Sequence, residues 1–176
     1  YVTESVTIGH LEPLPERFTV LSYWTPGRRE FYGGNIVLEA ARKMPDVRFR
    51  IVGNDGTDEP TAPNVEYLGY RKDMPTVFSQ ATVLVRLPRT DGAPNMPLEM
   101  LVRGRYVIYN EPLDGCILAR SVEEVCRALA DLRDETLPNA DGARLVREQF
   151  SPENEAAIFR HCLEQYLGRA LPSGRG

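Results

Sequence analysis

The sequence predicts an α/β domain: a mostly parallel sheet with helices on both faces. Two observations predict it. Short β-branched and aromatic runs alternate with segments of helical period, the pattern of successive βαβ units. The chain is 176 residues long, 42% hydrophobic and 26% charged, enough for one domain with a proper core. No internal repeat interrupts the pattern.

The elements follow in order. Residues 1–17 carry Pro13 and Pro15 and little periodicity, and are expected to be a lead-in or linker. Residues 18–24 (Phe-Thr-Val-Leu-Ser-Tyr-Trp) are the first candidate strand. After a Pro- and Gly-bearing break, Asn35 stands where it can cap a helix. That helix has Ile36, Val37, Ala40, Ala41 and Met44 at helical spacing and ends at Pro45. Residues 47–52 form the next strand, closed by Gly53-Asn-Asp-Gly56. A short strand, 65–68, ends at Gly69. Asp73 and Pro75 mark a helix start, with Val77, Phe78 and Ala81 on its apolar side. Strands are expected again at 82–87 and 106–109, with a short extended piece at 116–118. Ser121 and Glu124 have capping-box spacing and open a helix through Val125, Leu129 and Leu132. Residues 140–150 read as helical. Ser151-Pro152-Glu153 opens a last helix with Ile158, Phe159, Cys162, Leu163 and Tyr166 on its apolar face. The domain is thus expected over 18–170, with 171–176 a disordered tail.

Composition narrows the function. The formal charge of −4 argues against nucleic acid or an anionic membrane surface as partner. No apolar run is long enough to span a membrane, so no transmembrane segment is expected. No signal peptide is visible at Tyr1 and no initiator Met is present, so a fragment or processed chain is expected. Cys116, Cys126 and Cys162 are odd in number, lack C-x-x-C spacing, and fit reduced core thiols of a cytoplasmic protein. His10 and His161 have no acidic or Cys partners at ligand spacing, so no metal site is expected. No G-x-G-x-x-G follows the first strand and no G-x-x-x-x-G-K-[ST] occurs. This disfavours a dinucleotide oxidoreductase or a P-loop nucleotidase.

The segments 24–34, 53–63, 69–72, 88–95 and 110–115 all follow strands. In a parallel sheet they therefore share one edge, beyond the carboxyl ends of the strands, where such folds bind ligands. Residues 86–110 are the most informative. A strand stops at Pro88, a loop carries Asp91 and Gly92, and a helix opens around Asn95 to Pro97 and holds Glu99. Asn95 fits an N-cap, and Pro97 is tolerated in the first turn. Free N–H groups at that helix start favour an anion such as phosphate, while Asp91 and Glu99 offer acceptors for hydroxyl groups. A nucleotide sugar carries both kinds of group. The same residues also fit a helix-start loop with a solvated Glu.

Asp91-Gly-Ala-Pro-Asn-Met-Pro-Leu-Glu99 resembles the acidic E-x7-E signature, with its Gly-x-Pro-Asn core, of the retaining GT-B glycosyltransferases of family 4. Asp91 stands in place of the first Glu. The stretch from Phe49 to Gly56 resembles that family's Val-Gly-x-Gly strand end. The segment around Val65 to Met74 resembles its "V-x-F-x-G" segment, and that from Ala81 to Pro88 the strand before the acidic motif. The resemblance runs from about residue 18 to about 132. It implies the Rossmann-like C-terminal, nucleotide-sugar-binding half of a GT-B enzyme, transferring sugar from an NDP-sugar with retention. It further implies that no metal or other cofactor is required.

By the same resemblance, Glu99 would bind the donor ribose and Asp91 the sugar hydroxyls. The N–H groups of Gly92, Ala93, Pro94, Asn95 and Met96 mark the segment facing sugar and diphosphate, Pro94 supplying none itself. Gly53 would allow close backbone approach, and Tyr70 and Arg71 would line the base. Turn chemistry also accounts for Gly53 and Gly69, and surface packing for Tyr70. The acceptor, a glycan or lipid, would sit on a missing N-terminal domain, leaving this part a weak donor binder without turnover. That domain would also supply any peripheral attachment to the inner face of a membrane. One departure stands out. Where the family carries an Arg at the first strand end and a Lys-Gly pair before the helix, this chain has Tyr23-Trp24 and Tyr32-Gly33. Arg28, Arg29 and Arg89 are the candidate replacements, with Gly33 and Gly34 at the helix start. If none reaches the phosphates, a non-catalytic nucleotide-sugar-binding homologue is the alternative.

Overall fold

A computed structural model describes residues 11–92, 94–149, 160, 161 and 163. Six parallel strands make one sheet: β1 (Thr19–Tyr23), β2 (Arg48–Val52), β3 (Val65–Gly69), β4 (Val83–Arg86), β5 (Tyr106–Tyr109) and β6 (Ile117–Leu118). Their spatial order is β3-β2-β1-β4-β5-β6. The chain runs outward one way from β1 to β3, then returns to lay β4, β5 and β6 on the other side of β1. The topological switch point therefore falls between β1 and β4.

Five helices cover the sheet: α1 (Gly34–Lys43), α2 (Met74–Ser79), α3 (Asn95–Val102), α4 (Val122–Asp131) and α5 (Ala140–Gln149). The period of two in the strands divides the core. Val20, Phe49, Ile51, Val83, Val85 and Ile108 pack with Val37, Ala41, Val125 and Leu129, placing α1 and α4 on one face. Leu21, Leu84, Val107 and Tyr109 pack with Val77, Phe78, Leu98, Leu101 and Val146, placing α2, α3 and α5 on the other. Strands buried on both faces need apolar residues at every position, which is why β4 and β5 read as continuous apolar runs.

Local chemistry fixes the element ends. Asp73 caps α2 by accepting from the Thr76 N–H. Ser121 and Glu124 form a reciprocal capping box at α4. Two expected caps differ. Gly33, in the left-handed region at φ 71°, precedes α1, and Asn35 lies inside the helix with its Oδ1 accepting from Arg29 Nε at 2.8 Å. Pro94 precedes α3, and Asn95 is the first helical residue with no side-chain cap. In both cases the turn geometry places the cap position one or two residues before the polar side chain that signals it.

The segment before β1 is docked from Leu11 onward. Fully buried Arg105 donates to the Glu12 carboxylate at 3.1 Å and to the carbonyls of Pro13 (2.7 Å) and Ser79 (3.2 Å). Arg103 adds a 2.6 Å ion pair to Glu12. Phe150 and most of the last expected helix lie outside the described residues, as do residues 1–10 and 164–176. Among the described residues no helix is long and apolar enough to cross a membrane.

Candidate functional site

A cleft of about 620 Å³ lies at the carboxyl edge of the sheet, across the switch point. Four of the five post-strand segments line it. β1 ends in Tyr23, and its loop adds Thr25 and Tyr32. β2 ends in Val52 and Gly53. The loop after β3 supplies Tyr70, Arg71 and Lys72, with Met74 of α2. β4 ends in Arg86, and α3 opens with Asn95 and Met96. A second hollow, about 380 Å³, lies at the opposite edge among Leu14, Phe18, Thr82 and residues 133–136. The first has the geometry expected of a ligand site, because parallel sheets present their loops and helix N-termini at the carboxyl edge.

The charge of the cleft sets it apart. Its lining contains Arg71, Lys72 and Arg86 and no carboxylate, although the chain carries 25 acidic and 21 basic residues. Two further features shape it. The N–H groups of Asn95 and Met96 start α3 without intrahelical acceptors, and Pro97 has no N–H to leave unpaired. Tyrosines 23, 32 and 70 supply aromatic faces, and Tyr70 is 79% exposed. An anionic group with an attached flat ring matches this lining.

Arg86 is the most constrained of the three cations. Its parallel register with Tyr109 puts the ends of β4 and β5 side by side. Asp91, five residues on, folds back so that Arg86 Nε donates to Asp91 Oδ2 at 2.9 Å, with side chains 13% and 9% exposed. The guanidinium carbon lies 5.7 Å from the Tyr23 ring centre and 5.3 Å from that of Tyr32. These two rings meet edge-on at 5.2 Å. Burial, and then the neighbouring Asp91 charge and its hydrogen bond, push the Tyr109 phenol up to about 12. Tyr109 therefore stays protonated and donates toward Asp91.

The expected site residues separate into two groups. Gly53, Tyr70, Arg71, Asn95 and Met96 come together in the cleft. Asp91 does not line it; its carboxylate is turned onto Arg86 and Tyr109. Glu99 lies three and four positions beyond Met96 and Asn95, on the same face of α3. It is partly buried, and burial raises its carboxyl above the ordinary range against the pull of Arg103. Gly92 is exposed and Pro94 is the residue before α3. Ala93 lies outside the described residues.

All five phosphate candidates lie outside the cleft lining. Arg29 pairs with Glu59 at 2.6 Å and with Asn35. Arg89 pairs with Glu30 on the surface. Gly33 and Gly34 are packing positions: a Cβ would meet Leu87 Cβ and O at 2.6 Å in the first case and Arg29 Cγ at 2.5 Å in the second. Arg28 stacks over Phe31 at 5.1 Å, outside the cleft lining. Gly53, by contrast, has φ 91°, and a Cβ there would meet the Tyr23 ring at 2.7 Å, so both turn and packing demand glycine. Arg86 and Lys72 are the residues that sequence reasoning missed. The available signal was a cation at the last position of an otherwise apolar buried strand. Among the described residues, no group of three or more His, Cys, Asp or Glu side chains is arranged to hold a metal ion.

No protein-family model and no curated protein matches this sequence. Solved structures do match the fold. The lipopolysaccharide outer core galactosyltransferase WaaB superposes with a TM-score of 0.67 at 15% identity, over 90% of this chain and 53% of that one. Anabaena HepE, in complex with UDP and glucose, gives 0.64 at 14% identity, over 86% and 48%. The C-terminal domain of LpcC from Francisella tularensis, a glycosyl transferase group 1 family protein, gives 0.61 at 15%, over 79% and 89%. This chain therefore has the Rossmann-like α/β fold present in these glycosyltransferase structures. It spans about half the length of HepE and WaaB.

Proposed function

We propose that this chain is the donor-binding half of a GT-B glycosyltransferase that transfers sugar from an NDP-sugar to a glycan or lipid acceptor with retention. One observation carries the reading: a cleft at the carboxyl edge with three cations, two free helix N–H groups and no carboxylate, in a chain of net charge −4. Such a lining stabilises a diphosphate, and it does so most strongly when charge builds on the leaving group. Tyr70 and Arg71 flank the base, Glu99 takes the ribose hydroxyls, and the acceptor site belongs to a second domain. The chemistry asked of these residues is electrostatic and uses no bound metal.

Calorimetric titration of the chain with UDP, GDP and ADP tests the reading. One of them is expected to bind saturably, without sugar transfer by this half alone. Glu99→Ala is expected to weaken that nucleotide by about 1.5–3 kcal/mol, the range of a charge-assisted hydrogen bond. Unchanged affinity in a folded Glu99→Ala chain removes Glu99 from the site, and silence from all three nucleotides removes the donor reading.

A further inference from the structure

We propose that Arg86 is the residue that binds the diphosphate, and that Asp91 is its positioning residue rather than a ligand to the sugar. The inference rests on the donor-binding reading and assigns the cation within it.

Arg86 is the best prepared of the cleft cations. Arg71 and Lys72 are exposed side chains on a loop, free to rotate, and ordering them costs side-chain entropy. Arg86 is already fixed: its backbone by β4, its guanidinium plane by the Tyr23 and Tyr32 rings, and its Nε by Asp91. That arrangement uses the Nε edge only. No described residue takes the two Nη groups, and they are not sealed orphans like the Nε atoms of Arg103, Arg105 and Arg147. A guanidinium with its Nη groups unclaimed and its remaining edge anchored is ready for two parallel hydrogen bonds to phosphate oxygens. The burial of the pair keeps water from screening those bonds.

Asp91 completes the device. With its side chain 9% exposed, its Oδ2 engaged by Arg86 and the Tyr109 phenol beside it, Asp91 is turned onto the protein rather than into the cleft lining. It also balances the Arg86 charge before a ligand arrives, which a buried lone cation would require. The ring under Arg86 belongs to Tyr32, the residue at the Lys position noted in the sequence. The cation is thus reached from the end of β4 instead of the loop after β1.

The test compares uridine, UDP and inorganic pyrophosphate on the chain by calorimetry, with GDP and guanosine or ADP and adenosine substituted if the base differs. Arg86→Met is expected to lose about ten- to a hundredfold in affinity for the diphosphate and for pyrophosphate, with nucleoside affinity unchanged. Arg86→Lys recovers only part, because an ammonium lacks the fork. Asp91→Asn is expected to weaken the diphosphate while sparing the nucleoside, a difference that general loss of structure does not produce. Equal loss for nucleoside and diphosphate in Arg86→Met, or no loss for either, overturns the assignment of Arg86 while leaving donor binding intact. Absence of nucleotide binding by the unmodified chain overturns both.

Discussion

Arg86 donates to Asp91 in a 2.9 Å hydrogen bond at the switch point of the sheet, so the first acid of the loop is engaged by a protein cation. Removing one partner from a buried pair leaves the other uncompensated, which costs about 3–5 kcal/mol in well-buried cases. Asp91→Asn keeps an acceptor oxygen and is expected to lie below that range, near 2 kcal/mol by the same reasoning. Urea denaturation measures it; a change within error indicates that the pair is loose in solution.

Glu99 gives a pH signature. Its carboxyl is raised by burial in the folded chain. A raised acid contributes stability in full below its unfolded pKa and loses that contribution as pH rises through its folded pKa. Glu99→Gln, which stays neutral at every pH, is therefore expected to stabilise the chain at neutral pH and to match it below about pH 4. Urea midpoints across that range check the sign. A destabilising Gln at neutral pH contradicts burial as the dominant influence.

Nucleotide affinity responds the opposite way. On the proposed donor reading a ribose hydroxyl donates to the ionised carboxylate, so binding favours loss of the Glu99 proton. Affinity is expected to fall as pH drops through the raised pKa, and Glu99→Gln should flatten that fall. Parallel titrations at several pH values read the difference in slope directly.

Gly33 combines a left-handed φ of 71° with a neighbour, Leu87, that an added Cβ would meet at 2.6 Å. Gly33→Ala is expected to cost at least about 1–3 kcal/mol from the backbone conformation alone. Because Gly33 lies outside the cleft lining, the residual folded protein should bind nucleotide normally. Weakened binding in the folded fraction would restore Gly33 as a phosphate contact.

Arg105 ties the segment before β1 to the body. Burial lowers its pKa against the influence of Glu12, and it stays charged at any ordinary pH. Arg105→Ala is expected to destabilise by about 3 kcal/mol and to open residues 11–17 to limited proteolysis. An unchanged digestion pattern indicates that other contacts hold that segment.

The fold was legible because its signals are local and redundant. β5 was placed to the residue, and β1, β2 and β4 within one or two residues at each end. Ser121 and Glu124 announced α4 through side chains that do form the capping box. What failed was also local. Asn35 and Asn95 resemble caps, but Gly33 and Pro94 provide the turns, and backbone geometry outranked side-chain preference. The site was legible only in part. Position after a strand anticipated that Gly53, Tyr70, Arg71, Asn95 and Met96 lie along one cleft, since topology alone sends those loops to one edge. It gave no means of pairing charges across the fold. That Glu59 takes Arg29 and Glu30 takes Arg89 depends on tertiary approach over 30 and 59 residues respectively.

On the proposed reading the cleft at the carboxyl ends of β1 and β4 is a nucleoside-diphosphate site. Two-dimensional NMR titration of the chain with UDP, GDP, ADP and their sugar conjugates tests it most directly. Saturable shifts for one nucleotide, concentrated at Tyr23, Gly53, Tyr70, Arg86, Met96 and Glu99, are the predicted result. Shifts confined to the opposite hollow around Phe18 and Thr82, or none with any nucleotide, would contradict it.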